Sequence, residues 1–456
     1  MGFRIKDNVL VKYNEQAGVA DVIIPNGVIE IGASAFSSCR GLKSITIPNS
    51  VNKIGNGAFW HCDNLESVHN LDGVTEVGDE AFYYCRNLKE IILPNSIELI
   101  GNGAFKCCES LEEVILPNSL TKIKKSMFYN CTKLKRVMLP KVVTCIDDNA
   151  FSYCTSLENI DIPNSVNWIG GYAFYGCKNL KKVVLPKSIK NITDGTFMYC
   201  RSLKCIKFPQ GLNKIGCRAF SHCEELENIV IVGKFKRSNY YEVGIYEYAF
   251  EMCNKLKEIT FSHWNGCVDI KAFIGCDNLE SITLTDSRMS LYGDVYYLKY
   301  SGIQNIKNIN VSSYRVFLEV DDDLELIALR SFIKNYYTGQ TKYKEKDIFD
   351  FKEYIKLNRI KLFPYATIDM NLCDFMFNKI DKIYSPEDIE KLFNLINDGG
   401  NEFYKIRVEG NAILLQYIHK NNLHTKSKEL TLDDLDDFDD NSKDDDEKGN
   451  QKKLTN

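Results

Sequence analysis

Thiols are the side chains of this sequence most able to do chemistry, with 17 cysteines and only six histidines among 456 residues. Two of the cysteines, Cys107 and Cys108, are adjacent. Such a pair could form a metal site, a redox centre, a disulfide or part of a packed interior. Structural zinc sites favour ligands a few residues apart, as in C-x-x-C, and that spacing does not occur in the chain. We therefore expect no metal site.

The sequence motifs of common enzymes are missing. There is no P-loop, no H-E-x-x-H, no G-x-S-x-G and no dinucleotide-binding fingerprint in a strand–turn–helix context. The histidines stand at positions 61, 69, 222, 263, 419 and 424, a spacing that suggests no acid–base constellation. The sequence therefore predicts a protein that is not an enzyme and holds no cofactor.

Composition and the first residues bear on the environment of the thiols. The chain is 44% hydrophobic and 26% charged, as folded proteins are, and its net charge of -4 does not favour nucleic acid. The opening MGFRIKDNVLVKYNEQ lacks an apolar signal segment, and no stretch reaches the roughly 18 apolar residues of a membrane span. We expect a cytoplasmic protein, where reduced thiols are favoured. A surface or secreted location reached by a non-standard route is the alternative.

A 23-residue repeat positions most of the cysteines. Each unit is centred on a phenylalanine, and we number the units as coils 1 to 11. A cysteine follows the phenylalanine by three residues (+3), a leucine by six (+6) and an isoleucine or valine by nine (+9) in every coil. A seven-residue insertion near 232–243 precedes coil 10. The phenylalanines are Phe36, Phe59, Phe82, Phe105, Phe128, Phe151, Phe174, Phe197, Phe220, Phe250 and Phe273.

The residues after +9 indicate one short strand in each coil. An apolar residue usually returns at +11 and a proline follows, as in ITIP from Ile45 to Pro48, so the alternation of a strand ends at a residue that cannot donate to a ladder. A turn and a short helical or extended return then lead to the next phenylalanine. One coil cannot bury its own apolar face, so the coils are predicted to stack.

The pattern AFxxCxxLxxIxIPxxVxxIG resembles the BspA-like leucine-rich repeats, a family with 23-residue, Treponema-type units, over more than half of the chain. The resemblance implies a curved right-handed solenoid with a parallel sheet on one face, used for protein interaction or adhesion. Family members on cell surfaces carry export signals or anchors, which this sequence does not display. We assign 1–19 to an N-terminal strand or cap, 20–286 to the solenoid and 287–322 to a transition segment.

The +3 cysteines are predicted to form a file inside the solenoid, with neighbours about 4.8 Å apart. An odd number of equally placed thiols specifies no unique disulfide pairing, so buried reduced thiols that fill space are favoured. Cys107 stands at +2 and is predicted to point outward, with only Lys106 nearby to activate it. The file comprises Cys39, Cys62, Cys85, Cys108, Cys131, Cys154, Cys177, Cys200, Cys223, Cys253 and Cys276.

Two rows of the surface are candidates for binding a protein partner. The outward strand position, +10, is apolar in the middle of the solenoid, which predicts an exposed strip of Ile92, Ile115, Met138 and Val184. The +1 and +2 positions are rich in the aromatic residues that interfaces favour, although these rings could instead cover the neighbouring coil. The aromatic candidates are Trp60, Tyr83, Tyr84, Tyr129, Tyr153 and Tyr175.

Charges at +7 alternate almost without interruption, from Lys43 and Glu66 to Lys257 and Glu280. Stacked coils place these opposite charges side by side. An exposed pair is worth only about 0.2–1 kcal/mol, so the predicted value of the row lies in fixing how the coils align, because a slip by one coil would set like charges together.

The 23-residue period ends near residue 290, and helical signals follow. Ser385 is predicted to be the N-cap of a helix and Pro386 its first residue. We assign 323–424 to a helical module, loosely similar to the ankyrin-like helical ends behind such repeats in some clostridial proteins, which caps the solenoid or binds a partner separately. Ten acidic residues in 430–456 predict a disordered acidic tail.

These observations favour a non-enzymatic scaffold that binds a protein partner through the solenoid surface. One alternative is an adhesin-like surface or secreted protein. Another is a regulatory protein with an unrecognised activity in the helical module. Fold does not imply function, so the choice depends on the surfaces that the solenoid presents.

Overall fold

The computed structural model describes residues 2–233, 243–285, 288–292 and 308–311, and isolated residues between 333 and 392. The chain divides into two compact units, the first consisting of Met1–Val311 with Arg315–Leu324 and the second of Ser312–Tyr314 with Glu325–Asn456. Most of the predicted insertion, transition segment and helical module, and the whole predicted acidic tail, lie outside the described residues.

The first unit begins with an antiparallel hairpin of β1 (Phe3–Lys6) and β2 (Val9–Tyr13). Strand β2 also pairs in parallel with the two residues Glu30–Ile31 that precede coil 1. The ring of Tyr13 stacks on Phe36 with 5.0 Å between centroids. The hairpin therefore covers the coil-1 end of the solenoid.

The predicted strand of each coil forms parallel ladders along one side of the solenoid, which we call the strand face. Pairing follows the 23-residue period, as in Val114 opposite Val137. The +9 residue points into the core and its two neighbours point outward, because side chains alternate along a strand. The strands are β3 (Asp21–Ile23), β5 (Ser44–Thr46), β7 (Ser67–His69), β9 (Glu90–Ile91), β11 (Glu113–Ile115), β13 (Arg136–Met138), β16 (Lys182–Val184), β18 (Cys205–Lys207), β20 (Asn228–Val232), β22 (Glu258–Ser262), β24 (Ser281–Thr285) and β26 (Asn308–Val311).

Each coil also has a second strand, which shows that the return predicted as helical or extended is extended. Most of these strands contain two residues, too few to show a period, and they pair in parallel as Ile54 does with Val77. They make the second side of the solenoid. They are β4 (Glu30–Ile31), β6 (Lys53–Ile54), β8 (Glu76–Val77), β10 (Leu99–Ile100), β12 (Lys122–Ile123), β14 (Cys145–Ile146), β15 (Trp168–Ile169), β17 (Asn191–Ile192), β19 (Lys214–Ile215), β21 (Gly244–Ile245), β23 (Asn265–Asp269) and β25 (Arg288–Tyr292).

Both sets of ladders continue past residue 286, where the repeat motif was expected to end. Strand β25 pairs with β23, and β26 pairs with β24. The parallel arrangement of the solenoid therefore extends into the segment that the sequence assigns to a transition.

The third side, which we call the spine, contains the residues from −2 to +2 around each phenylalanine. It consists of successive turns, except for a 3-10 helix at Ile270–Phe273 in coil 11. The phenylalanine N–H donates to the carbonyl just before the next phenylalanine, as from Phe128 to Ala150 at 2.8 Å. This bond recurs from Phe36 to Phe250 without a gap.

The strand face, in contrast, forms four separate sheets, with breaks between β9 and β11, between β13 and β16 at coil 6, and between β18 and β20. Strand β13 has no partner strand in coil 6, and a single bridge joins Asn159 to Lys182 in coil 7. The continuous hydrogen bonding of the spine holds coils 5 and 6 together at this break, with Phe128 N–H bonded to Ala150 as above.

The core is a file of stacked phenylalanine rings beside the leucines at +6. All eleven rings are buried. Successive ring centroids lie 5.0–5.7 Å apart and successive ring planes differ by 3–18°. Stacked rings of this kind add to the burial energy of their large apolar surface.

Glycine at −4 lets neighbouring coils approach closely on the way into the spine. A Cβ placed on Gly170 would lie 2.4 Å from the backbone nitrogen of Asp148 in the preceding coil. The adjacent Gly171 has more room, since its nearest contact would be the carbonyl oxygen of Asp194 at 3.4 Å. A side chain at Gly170 would therefore require the neighbouring coil to shift, whereas one at Gly171 would not.

In the second unit, the residues around Ser385 form a helix start. The N–H of Asp388 donates to Ser385 Oγ at 3.2 Å, and Ser385 N–H donates back to Asp388 Oδ2 at 3.0 Å. This reciprocal pair is a capping box, and Glu387, Asp388, Lys391 and Leu392 are helical. The N-cap predicted at Ser385 is confirmed. The described residues do not establish the helical module as a whole.

Candidate protein-binding surfaces

The eleven +3 cysteines all lie in the core. From coil 2 onward each thiol is placed to donate to the phenylalanine carbonyl of the preceding coil, as from Cys108 Sγ to Phe82 O at 3.2 Å. Burial raises the pKa of Cys108, and it raises that of Cys39, at the end of the file, to about 11. Thiolate is the reactive form of cysteine, so this file is chemically quiet near neutral pH.

Cys107 does not point outward, contrary to the prediction. Its side chain is buried, and Asn130 Nδ2 in the next coil lies 3.8 Å from its sulfur. The backbone of Cys107 is left-handed, with a φ of 59°, as it is at +2 in other coils. The small side chain is covered because its neighbours at +2 are the larger Tyr84 and Asn130. Burial raises the pKa of this thiol too, so the vicinal pair offers no reactive centre.

The apolar residues predicted at +10 are exposed on the strand face. Ile115 and Met138 are directly paired neighbours in β11 and β13. A single exposed aliphatic side chain is ordinary on a protein surface, whereas several in successive coils form a patch of the kind that marks interaction sites. The exposed fractions are 80% for Ile92, 57% for Ile115, 52% for Met138 and 48% for Val184. We call these four residues the apolar strip.

The break in the strand face at coil 6 divides the apolar strip. Asp161 occupies +10 in coil 6, between Met138 and Val184, and its side chain is exposed. A cleft of about 600 Å³ on one side is lined by Met138 and Asp161 among others. A second cleft, of about 340 Å³, is lined by Asp161 and Val184 among others. The apolar strip is therefore accompanied by concave surface at its centre.

Ion pairs at +7 border the apolar strip. Glu66 pairs with Lys89 at 2.6 Å, and the same contact recurs between Glu112 and Lys135 at 2.8 Å. Glu158 and Lys181 repeat it at 2.7 Å. In each case the glutamate pairs with the lysine of the following coil. The alternating charges at +7 therefore form separate two-residue ion pairs. The hydrogen bond from Lys89 lowers the pKa of Glu66.

The aromatic candidates lie on the spine and contact one another. Tyr84 stacks on His61 with 4.4 Å between centroids, and Tyr153 meets Tyr175 edge to face at 4.9 Å. The hydrogen bond that the Tyr175 hydroxyl donates to Tyr153, together with burial, raises the pKa of Tyr175 to about 12. Trp60 is exposed, whereas Tyr83, Tyr84, Tyr129, Tyr153 and Tyr175 are half-buried. Much of this aromatic surface thus covers neighbouring coils.

One groove remains open among these rings, with a volume of about 430 Å³. The +1 position of coil 6 is the small Ser152, which leaves a gap between Tyr129 in coil 5 and Tyr175 in coil 7. Tyr172 and Arg218, both at −2, also line the groove. The sequence reasoning missed these two residues because it considered only +1 and +2, although −2 shares the left-handed backbone of +2.

The described residues hold no group of three histidine, cysteine or acidic side chains that could bind a metal ion. Within the same residues, no helix is long and apolar enough to cross a membrane. His61 and His222 lie on the spine in coils 2 and 9 and stack on tyrosines instead of on each other.

Short parallel strands stacked at a 23-residue period, with leucines inside and an exposed strand face, define a leucine-rich repeat solenoid. Proteins of this class typically mediate protein–protein interaction or adhesion. The chain belongs to the family described as the BspA type leucine rich repeat region, which matches in six copies over residues 12–135, 121–242 and 238–338. The match ends at residue 338, so the ankyrin-like resemblance of the following module is not supported.

Solved structures of bacterial leucine-rich repeat proteins are similar to this chain. A protein from Bacteroides ovatus is 26% identical over 64% of this chain and 97% of its own, with a TM-score of 0.38. A leucine rich cell surface protein from Faecalibacterium prausnitzii is 22% identical over 69% and 93%, with a TM-score of 0.40. The pneumococcal vaccine antigen PcpA is 20% identical over 68% and 95%, with a TM-score of 0.41. No curated protein matches the sequence.

Proposed function

We propose that this protein is a non-enzymatic scaffold that binds a protein partner through the strand face. The observation that carries the proposal is the apolar strip, in which Ile92 and Ile115 stand open to water on the strand face. Full burial of an aliphatic side chain is worth about 1.5–3 kcal/mol, so a partner that covers the strip gains its binding energy there.

The surroundings of the apolar strip have the composition of an interface. Interfaces place a few apolar anchors at the centre and charged groups at the rim. Here the ion pairs at +7 form such a rim, and Glu90 and Glu113 at +8 lie directly beside the strip in the same strands. Since +8 and +10 side chains share one face of a strand, a partner would meet both rows at once.

Substitution of the apolar strip tests the proposal. We expect Ile115→Asp and Met138→Asp to remove a protein that the wild-type chain captures from its native host, because a charge at the centre of an interface cannot be desolvated cheaply. Both side chains face solvent, so the melting temperature should be unchanged. Leu99→Asp is the matched control, since Leu99 is 43% exposed but lies on the second side of the solenoid. Capture that survives both strand-face substitutions contradicts the proposal.

An adhesin-like protein would use the same strip against a partner outside the cell. Digestion of intact cells by an added protease separates the two functions. Protection of the chain supports the intracellular scaffold, whereas its cleavage supports adhesion. An activity in the predicted helical module is a third function, and it concerns residues that lie largely outside those described.

A further inference from the structure

The strand face carries a regular charge pattern in its four central coils. The outward positions +7, +8 and +10 bring two acidic residues in coil 4, two basic residues in coil 5, two acidic residues in coil 6 and two basic residues in coil 7. All eight side chains are exposed. They are Glu112 and Glu113 in coil 4, Lys135 and Arg136 in coil 5, Glu158 and Asp161 in coil 6, and Lys181 and Lys182 in coil 7.

Read from coil 4 to coil 7 the series is acidic, basic, acidic, basic. Read from coil 7 to coil 4 it has the opposite charge at every step. A two-fold axis that runs parallel to the strands between coils 5 and 6 would therefore place coil 4 of one copy against coil 7 of another, and coil 5 against coil 6. Every acidic coil then faces a basic coil. The same operation brings Ile115 opposite Val184 of the second copy, whereas Met138 comes opposite Asp161 and Ile92 opposite Lys207.

The next coils outward, 3 and 8, add one acidic residue and two lysines, although Lys89 at +7 of coil 3 would also face Lys204 of the other copy. Glu90 in coil 3 and Lys204 and Lys207 in coil 8 are exposed, and none of them forms an ion pair within the described part of the chain. The two-fold axis places coil 3 against coil 8. Glu90 of each copy then comes within reach of the two lysines of the other.

We propose that the strand face binds a second copy of this chain, with the two solenoids antiparallel about that axis. The inference rests on the proposed function, because it names the protein that covers the apolar strip. A two-fold interface must be self-complementary, and this face meets that requirement in the charges of coils 4 to 7 and in the apolar pair of Ile115 with Val184. With the solenoids parallel and in register, each coil would meet its own copy, so like charges would face each other.

The dimensions of the face suit a stable dimer. Coils 3 to 8 span about 24 Å at the usual 4.8 Å between strands. Three outward side chains from each of these six coils, with their flanking turns, approach the roughly 20–30 residues that a standard interface uses on each side. The surface is thus large enough without any contribution from the second unit.

Charge reversal at the outer pair tests the arrangement. We expect the wild-type chain to sediment as a dimer at low ionic strength and to dissociate more readily as salt screens the rim charges. Glu90→Lys and Lys207→Glu should each weaken dimerisation at least about tenfold, because both equivalent contacts become repulsive. A wild-type chain that remains monomeric at every concentration overturns the proposal.

Combining the two changes supplies the decisive measurement. The double variant Glu90→Lys/Lys207→Glu exchanges the charges and should restore the dimer, as should an equal mixture of the two single variants. Glu98→Lys is the matched control, since Glu98 is exposed beside β10 on the second side of the solenoid, and it should leave dimerisation unchanged. If the double variant dimerises no more tightly than the single variants, coils 3 and 8 do not meet.

The outcome for the dimer is separable from that for the scaffold. A monomeric chain whose captured partner is lost in Ile115→Asp refutes the dimer and supports the scaffold. If the double variant restores the dimer and the Ile115→Asp variant still captures a different host protein, the dimer is supported and the scaffold is refuted.

Discussion

A cysteine in this protein takes its properties from its position in the coil. At +3 the thiol faces the core and the carbonyl of the preceding phenylalanine, as Cys131 does with Phe105 at 3.1 Å. At +8 a cysteine stands on the strand face, and Cys205 is accordingly exposed. The side chain is the same at both positions, but only the second can meet a reagent.

Alkylation of the native chain should follow this difference. At pH 8 we expect iodoacetamide to modify Cys205 and to leave Cys108 and Cys131 intact, because their raised pKa values keep them as thiols and the core excludes the reagent. Peptide mass spectrometry measures the rates, and Cys205→Ser removes the fast site as a control. Modification of Cys131 as fast as that of Cys205 would refute the assignment.

The same thiols make stability depend on alkaline pH. The pKa of Cys39 rises from 9.0 to about 11 in the folded chain. A group whose folded pKa is raised contributes stability that is complete below its unfolded pKa and is lost as pH rises through the folded value. The melting temperature should therefore fall between pH 9 and 11, and by a smaller amount in Cys39→Val.

Elements that recur with the 23-residue pattern could be predicted from the sequence. Features that depend on side chains in neighbouring coils could not. The +9 residues, such as Val114, recur in every coil and are flanked by outward residues, so the strand face and its exposed strip follow from the sequence. The two-residue strands of the second side, such as Lys53–Ile54, are too short to have a period of their own. The burial of Cys107 depends on the size of adjacent residues in other coils, which its own segment does not encode.

The close approach of coils at −4 predicts a sharp contrast between adjacent glycines. Gly170→Ala should lower the free energy of unfolding by about 1–3 kcal/mol, because the new methyl group would overlap the backbone of Asp148. Gly171→Ala is the matched control and should change it by less than about 0.5 kcal/mol. Thermal denaturation followed by circular dichroism compares the two. Equal effects would show that the coils can separate at this point without cost.

At the scale of the whole molecule, a solenoid must cover the apolar ends of its core. The β1–β2 hairpin does so at coil 1, through the pairing of β2 with β4 and the stacking of Tyr13 on Phe36. Repeat proteins in general require such terminal caps.

Removal of the hairpin should expose this end. We expect a chain lacking residues 2–13 to melt at a lower temperature and to associate with rising concentration, because the unpaired strand β4 and the bare face of Phe36 become available to other molecules. Size-exclusion chromatography and thermal denaturation measure the two effects. Ile5→Ser, which alters an exposed position of β1, is the control. A truncated chain as stable and monodisperse as the Ile5→Ser variant would show that the hairpin is dispensable.

The ion pairs at +7 restrict how a gene for such a solenoid can gain or lose repeats. Loss of 23 residues by recombination would bring two lysines, such as Lys43 and Lys89, into adjacent coils. Loss of 46 residues would instead place Lys43 beside Glu112, so opposite charges would still meet at the new junction. Selection on these charges would therefore favour changes in repeat number that occur two coils at a time.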